Sequence, residues 1–167
     1  MKDDAVGRNE LPSSVNLPFT EFPTDDGGFA KLPTVAFVIP NQIHDGHKSD
    51  AAPAGIDCRK AMDDWLRENI EPYRRWALGN NSLLIITWDE DEDAYTPVKD
   101  ATGATVAKQY INLIPTIIVG AGVVPGTYSE RIDHYAVLRT IEDFYGLAAL
   151  ARHDAAAKPI TDAFRKP

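Results

Sequence analysis

Three short apolar runs constrain the fold of this 167-residue chain more than any other feature of its sequence. They span residues 35–39, 83–88 and 114–119, and a proline, an aspartate and a glycine stop them in turn. Runs of this length are typical of strands buried on both faces, because a strand with one face in water alternates apolar and polar residues. With the intervening helical patterns, the order is strand, helix, strand, strand, helix. This order predicts an α/β fold with a largely parallel sheet and flanking helices.

Two amphipathic helices are predicted between and after these runs. Residues 57–79 and 134–145 repeat apolar side chains every three or four positions. Pro72 is expected to end or kink the first helix near its middle. Aspartates that can cap the helix starts and glycines that can follow the helix ends stand at four outer positions: Asp57, Gly79, Asp133 and Gly146.

The remaining segments carry weaker signals. Residues 1–33 contain four prolines and a Gly-Gly pair, so they are expected to form an extended lead-in to a single domain spanning 1–167. A polar loop is expected to run to about residue 110, and the alanine-rich tail is expected to fray. No apolar run approaches the roughly 20 residues of a membrane span. The acidic N-terminus has no apolar segment of the kind found in secretion signals.

The chain is acidic, with a formal net charge of −8 and a pI of about 4.9. Proteins that bind the nucleic-acid backbone need clustered lysines and arginines, so the charge argues against that class. A phosphate-handling enzyme with this charge needs local cations, and a bound metal ion is the simplest source. Cys58 is the single cysteine, which excludes a disulfide within the chain.

An acidic run, residues 89–93, follows the second apolar run directly. Ligands of open α/β sheets bind beyond the carboxyl ends of the strands, so Asp89 and Glu90 stand where a metal site is expected. Carboxylates are hard ligands that suit Mg²⁺, Ca²⁺ or Mn²⁺, and Zn²⁺ when a histidine joins them. The alternative interpretation is a solvated acidic loop.

Histidines supply a second set of candidates. His44, Asp45 and His47 follow the first apolar run, and His134 opens the last helix. An imidazole can bind a metal, hold phosphate oxygens or protonate a leaving alkoxide. The alternatives are surface histidines in a polar loop and, for His134, a surface residue at a helix start.

Several ordered blocks of sequence resemble the bacterial acid phosphatase and phospholipase C phosphoesterase family of the alkaline phosphatase superfamily. The first block is a strand ending in Pro40-Asn41, followed by the polar loop His44-Asp45-Gly46-His47. The further blocks keep the family's order and spacing: residues 64–66, 80–91, 114–120 and 134–143. Together they cover the chain from about residue 16 to its end, and the acid phosphatase branch fits best.

The resemblance implies a metal-dependent phosphoester hydrolase, most similar to acid-phosphatase-type phosphomonoesterases, that acts on a small phosphate ester. Asp89 and Glu90 match the family's metal-ligand pair, for one or more divalent ions of open identity. The catalytic positions that the resemblance implies are His44, Asp45, His47 and His134. The fold it implies is an alkaline-phosphatase-like α/β sheet, and the location it implies for the parent protein is periplasmic or secreted.

Two departures from the family pattern change the expectation. Gly46 and Lys48 replace the usual methionine and aspartate, so the loop is expected to be looser. The family's upstream half, with its hydroxyl nucleophile and a Glu-Asn pair that completes the metal site, has no counterpart, and neither Ser13 nor Ser14 matches the nucleophile motif. The chain is therefore expected to be the downstream part of one phosphoesterase domain, able to self-associate through an uncovered sheet surface. The alternatives are a phospholipase C-like phosphodiesterase and a catalytically silent truncated module.

Overall fold

The structure is a computed structural model that describes residues 12–47, 55–91, 95–150 and 152–165. The chain divides into two compact units, Met1–Trp76 and Ala77–Pro167. Helices and strands both occur, which confirms the α/β class. No helix among the described residues is long and apolar enough to cross a membrane.

Two consecutive helices, α2 (Cys58–Asn69) and α3 (Glu71–Ala77), belong to the first unit except for Ala77, the last residue of α3. Asp57 caps α2, because its carboxylate accepts from the backbone N–H groups of Arg59 and Lys60 at 3.0 and 3.3 Å. Pro72 lies in the first turn of α3, where its missing N–H costs no helix hydrogen bond. The predicted cap and the predicted break before Pro72 are both confirmed.

The end of α3 differs from the prediction. The helix stops at Ala77, two residues before Gly79. The left-handed conformation after it belongs to Asn81, at φ +48°, and Gly79 does not adopt it. Asparagine tolerates that conformation better than most residues, so Asn81 replaces the predicted glycine in the turn towards the next strand.

The predicted extended lead-in contains two short helical turns, Phe19–Glu21 and α1 (Asp26–Phe29). Asp25 caps α1 by accepting from the N–H of Gly28 at 2.8 Å. These turns place phenylalanine rings against aromatic side chains of α2 and α3, with ring centroids 4.9 to 6.4 Å apart. The rings in this cluster are Phe19, Phe22, Phe29, Trp65, Tyr73 and Trp76. Burial of apolar rings therefore overrides the proline-rich signal of the lead-in.

The first predicted strand is wrong for the described chain. Residues 35–39 lie in no strand, and Phe37 and Ile39 are 83% and 81% exposed. The apolar composition expresses a preference for burial, but a strand also needs a neighbour for its backbone N–H and C=O groups. No described strand pairs with these residues.

The second unit contains the strand pair β1 (Leu83–Thr87) and β4 (Thr116–Gly120), which is antiparallel, with Leu83 opposite Gly120 and Thr87 opposite Thr116. The sequence predicts both strands, and the structure confirms them. The prediction of parallel neighbours is wrong for this pair. Parallel neighbours require a crossover connection, usually a helix. The segment that connects β1 to β4 instead forms a β-hairpin of two further strands, and β4 runs antiparallel to β1.

That hairpin, β2 (Tyr95–Lys99) with β3 (Thr105–Tyr110), replaces most of the predicted polar loop. Asp100 organises its turn, accepting from the N–H of Thr102 at 2.8 Å and from that of Ala104 at 3.1 Å. The hydrogen bond from the Thr102 hydroxyl, followed by those backbone contacts, lowers the pKa of the Asp100 carboxyl. Gly103 completes the turn at φ +86°. Every residue of both strands is exposed, so the pattern of burial that reveals most strands is absent.

The last predicted helix is confirmed as α4 (His134–Phe144), with Asp133 as its cap at 2.9 Å from the N–H of Ala136. Gly146, at φ +61°, closes it, and the N–H of Leu147 donates to the carbonyl of Glu142 at 2.8 Å, as in a Schellman motif. This confirms Gly146 as the residue that ends the helix.

The alanine-rich tail is docked and not frayed over its described part. It contains the short helix α5 (His153–Ala156), and Ile160 and Ala163 are buried against α4. Thr140 on α4 links the two, because its hydroxyl donates to the carbonyl of Ala136 at 2.7 Å and accepts from the N–H of Ile160 at 2.8 Å. The hydrophobic core of this unit contains these residues and their partly buried neighbours: Ala136, Ile160, Ala163, Ile118, Val137 and Phe164.

Candidate functional site

The first candidate element is the turn formed by residues 41–47. Asn41 starts it, because its carbonyl accepts from the N–H groups of His44 and Asp45 at 2.9 and 3.0 Å. Its side-chain oxygen also accepts from the N–H of Ile43 at 3.1 Å. Asp45 finishes the turn by accepting from the N–H of His47 at 2.8 Å. Local polar side chains therefore fix the backbone that carries both histidines.

Glycine at position 46 suits this turn. Gly46 has φ +89°, a conformation that side chains with a Cβ rarely adopt. Asn41 and Asp45 accept all the hydrogen bonds described for this turn, and the expectation of a looser loop than the family's stays a prediction. Lys48 lies outside the described residues.

The two histidines of the turn have different surroundings. The ring of His44 stacks on Trp65 of α2, with centroids 6.2 Å apart and planes 23° from parallel, and it is half-buried. His47 is exposed. His44 is therefore oriented by an aromatic neighbour, whereas the ring of His47 is open to a solvent-borne ligand.

The second candidate element is the segment that follows β1 in the second unit. Asp89 and Glu90 come two and three residues after Thr87, the last residue of the strand, and both are exposed. They lie at the carboxyl end of β1, as the sequence predicts.

His134 lies at the same end of β1. Its Nε2 is 2.9 Å from the backbone carbonyl oxygen of Trp88, the residue before Asp89. A carbonyl oxygen accepts and never donates, so Nε2 carries the proton in this contact and Nδ1 is the nitrogen left for other chemistry. The start of α4 is thus joined to the backbone of Trp88, the residue that precedes Asp89.

Asp91 is a residue of this region that the sequence reasoning did not single out. Its N–H donates to the side-chain oxygen of Asn112 at 2.8 Å, and its Oδ2 accepts from the N–H of Leu113 at 2.7 Å. Its Oδ1 is buried without a hydrogen-bond partner among the described residues. No local signal distinguishes Asp91 from its acidic neighbours, because its partners lie 21 and 22 residues away.

The two candidate elements belong to different units of the chain. His44, Asp45 and His47 lie in the first unit, and Asp89, Glu90 and His134 lie in the second. A shared cleft therefore stays a prediction.

The donor chemistry of the acidic segment fits a hard divalent ion. Asp89 and Glu90, which directly precede Asp91, carry adjacent carboxylates. Mg²⁺ and Ca²⁺ prefer oxygen ligands of this kind. No group of three or more histidine, cysteine, aspartate or glutamate residues arranged to hold an ion occurs in the described ranges. The pair would thus supply part of a ligand set that needs further oxygen donors.

Comparisons with known proteins agree on one family. The model of the Phosphoesterase family matches residues 2–148. A phosphatidylinositol-3-phosphatase of Mycobacterium tuberculosis is 39% identical over 157 residues, which are 94% of this chain and 44% of that protein. An acid phosphatase of Aspergillus fumigatus is 28% identical over 92% of this chain and 30% of its own length. A probable acid phosphatase of Kluyveromyces lactis is 29% identical over 92% of this chain and 32% of its own length.

The chain therefore spans less than half the length of these curated relatives. No solved structure is significantly similar to it.

Proposed function

Because the chain belongs to the Phosphoesterase family, we propose that it forms part of a phosphate monoester hydrolase in which Asp89 and Glu90 hold a divalent metal ion. The observation that carries this proposal is the contact between His134 and the carbonyl of Trp88, which joins a histidine to the segment bearing both carboxylates. A cation bound there would neutralise charge on phosphoryl oxygens. The overall acidity of the chain supports a local cation at this position.

The histidines would supply the two other functions of the site, protonation of the leaving group and binding of phosphate oxygens. Exposed His47 is suited to protonate the leaving alkoxide, because its backbone is fixed by Asp45 while its ring is open to solvent. His134, whose Nε2–H donates to the carbonyl of Trp88, would as an imidazolium donate from Nδ1 to a phosphate oxygen. His44 is oriented by Trp65 and would act beside His47.

A monoester is the preferred substrate class. The three relatives described above are named as phosphatases, and none of those names refers to a diester. A phospholipase C-like phosphodiesterase is the competing function.

The nucleophile and the remaining metal ligands are proposed to lie in sequence that the longer relatives have and this chain does not match. The same missing part would complete an alkaline-phosphatase-like sheet, in which residues 35–39 gain strand neighbours. Support comes from the exposure of Phe37 and Ile39 and from the share of the relatives that the chain spans. A catalytically silent module is the competing interpretation for the 167 residues alone. A periplasmic or secreted location is proposed for the parent protein.

The experiment compares 4-nitrophenyl phosphate with bis(4-nitrophenyl) phosphate, using the natural full-length polypeptide that contains this sequence and, separately, these 167 residues. Each is treated with a chelator and then supplied with Mn²⁺, Mg²⁺ or Ca²⁺. We expect metal-dependent turnover of the monoester by the full-length protein at roughly 1–1000 per second. Faster turnover of the diester, or turnover unaffected by the chelator, would contradict the proposal. Equal rates for the two polypeptides would place the nucleophile within these 167 residues.

A further inference from the structure

We infer that Asp91 is a positioning residue that holds the Asp89–Glu90 segment in the shape needed to bind its cation. This inference rests on the proposed function, and in it Asp91 acts on the cation only through Asp89 and Glu90. We call the pair of contacts that Asp91 makes with Asn112 and Leu113 the Asp91 clamp.

The clamp joins the two ends of the segment that connects β1 to β4, because Asp91 follows β1 and Asn112 and Leu113 precede β4. The N–H of Asp91 donates to Asn112 Oδ1 at 2.8 Å, and the N–H of Leu113 donates to Asp91 Oδ2 at 2.7 Å. Asp91 is thus both donor and acceptor towards neighbouring residues of one segment. Two such contacts restrain the direction of the backbone as well as its position, which one contact alone does not achieve.

The acidic pair is therefore fixed on both sides. Before the acidic pair, Thr87 at the end of β1 lies opposite Thr116 of β4, and the two hydroxyl oxygens lie 3.1 Å apart. The carbonyl of Trp88 is held by His134. Asp89 and Glu90 are the two residues left between these contacts and the clamp, so few backbone arrangements are open to them.

Asn112 shows that the backbone is adapted to this arrangement. It has φ +45°, in the left-handed region that asparagine enters more readily than most other residues. A strained conformation persists where the surrounding contacts determine it. The Asn112 side chain that accepts from Asp91 thus belongs to a residue whose own backbone turns the chain towards β4.

The role inferred for the clamp is to set the geometry of the segment, not to place a charge on the cation. Its partners are a backbone N–H and a side-chain amide oxygen, both neutral. An asparagine at position 91 keeps a side-chain oxygen that can accept from Leu113, whereas an alanine does not. Asp91→Asn and Asp91→Ala therefore separate a positioning role from direct contact between the carboxylate and the cation.

The test uses the natural full-length protein and its variants Asp91→Asn, Asp91→Ala and Asn112→Ala. Asp143→Ala, which removes an exposed aspartate from α4, is the matched control. Calorimetric titration measures affinity for Mn²⁺, hydrogen exchange measures protection of the Leu113 amide, and far-UV circular dichroism measures whether each variant keeps its fold.

We expect Asp91→Ala to weaken Mn²⁺ affinity by about 10–100-fold, the effect typical of changes behind metal ligands. Asp91→Asn and Asp143→Ala should stay near wild type. The far-UV circular dichroism spectrum should be unchanged in all variants, because a loss of structure would change it and a loss of positioning would not. Asn112→Ala should also weaken Mn²⁺ affinity, and adding it to Asp91→Ala should cost less than the sum of the two effects.

Three results would overturn the inference. Unchanged Mn²⁺ affinity in Asp91→Ala would show that the clamp does not shape the site. Equal losses in Asp91→Asn and Asp91→Ala would assign the effect to the carboxylate charge. Rapid exchange of the Leu113 amide in the wild type would show that the clamp is not formed, even if Asp91→Ala fails to fold. Absence of both Mn²⁺ binding and monoester turnover in the wild type would refute the proposed function, and slow Leu113 exchange would then still report the clamp separately.

Discussion

His44 and His47 illustrate how strongly single residues depend on their neighbours. They are three positions apart in one turn, but Trp65 stacks on the first and solvent surrounds the second. The sequence places both in a polar loop without ranking them. In the proposed function His47 is the proton donor and His44 its oriented neighbour, because His47 is exposed and His44 is half-buried.

Asp89 provides the most direct test of the metal proposal at this scale. Asp89→Asn removes a hard anionic ligand, and we expect Mn²⁺ affinity to fall by at least about tenfold, since even changes behind metal ligands cost that much. The residue is exposed, so the free energy of unfolding should change by no more than about 0.5 kcal/mol. Calorimetric titration and urea unfolding measure the two quantities. An unchanged affinity for Mn²⁺ would remove Asp89 from the ligand set.

Glu71 makes the stability of α3 depend on pH. The guanidinium groups of Arg74 and Arg75 donate to its carboxylate, and they lower the pKa of Glu71 from 4.5 to about 2. Because the folded pKa lies below the unfolded value, the stabilising contribution is complete above about pH 4.5 and is lost as the pH falls towards 2. Glu71→Gln should therefore lower Tm near neutral pH and leave it unchanged near pH 2.

Thermal unfolding followed by circular dichroism at both pH values checks this prediction. Glu68→Gln, which changes an exposed glutamate of α2, is the control and should show no such pH dependence. A Tm difference between wild type and Glu71→Gln that is the same at both pH values would rule out the ion pairs as its cause.

At the scale of elements, signals that act within a few residues could be read from the sequence. Asp57 and Asp133 cap helices through N–H groups two or three positions away, so the starts of α2 and α4 could be predicted. The direction of β4 could not be predicted, because it depends on which strand becomes its neighbour. The hairpin was missed because its residues are exposed on both faces and lack the usual alternation.

The candidate site follows the same division. Asp89 and Glu90 could be placed at a strand end because they follow an apolar run directly. The approach of His134 to Trp88 could not be predicted, since the two are 46 positions apart and the packing of α4 brings them together. The contacts of the Asp91 clamp could not be predicted either, since they join residues 21 and 22 positions apart.

Thr140 tests the attachment of the tail to α4. Thr140→Val keeps the shape but removes the hydroxyl that accepts from Ile160, leaving a buried N–H without its partner. We expect the free energy of unfolding to fall by about 1–3 kcal/mol, as for other buried donors left unpaired. Thr140→Ser retains the hydroxyl and should lose less. Urea unfolding compares the variants, and equal losses in both would attribute the effect to packing instead.

At the scale of the whole chain, the exposed apolar residues are consistent with a polypeptide that matches under half of its relatives' length. Large apolar side chains in extended, unpaired backbone recruit other chains. We expect the 167-residue chain to associate in a concentration-dependent way and to show little phosphatase turnover.

Sedimentation velocity over a range of concentrations measures this association. Replacing both Phe37 and Ile39 with serine should reduce it, because these two side chains are the most exposed of the apolar run. Val106→Ser, at an exposed position of the hairpin, is the control. A chain that is strictly monomeric at all concentrations would contradict the expectation.

The hairpin formed by β2 and β3 has a consequence for how this family can diversify. Neither strand touches a described helix or strand other than its partner, and the Asp91 clamp closes the base below them. Insertions, deletions or wholesale replacement above that base would leave the β1–β4 register untouched. Related enzymes can therefore differ in length and charge at this position while keeping the same acidic segment, which makes the hairpin the natural place for new recognition to evolve.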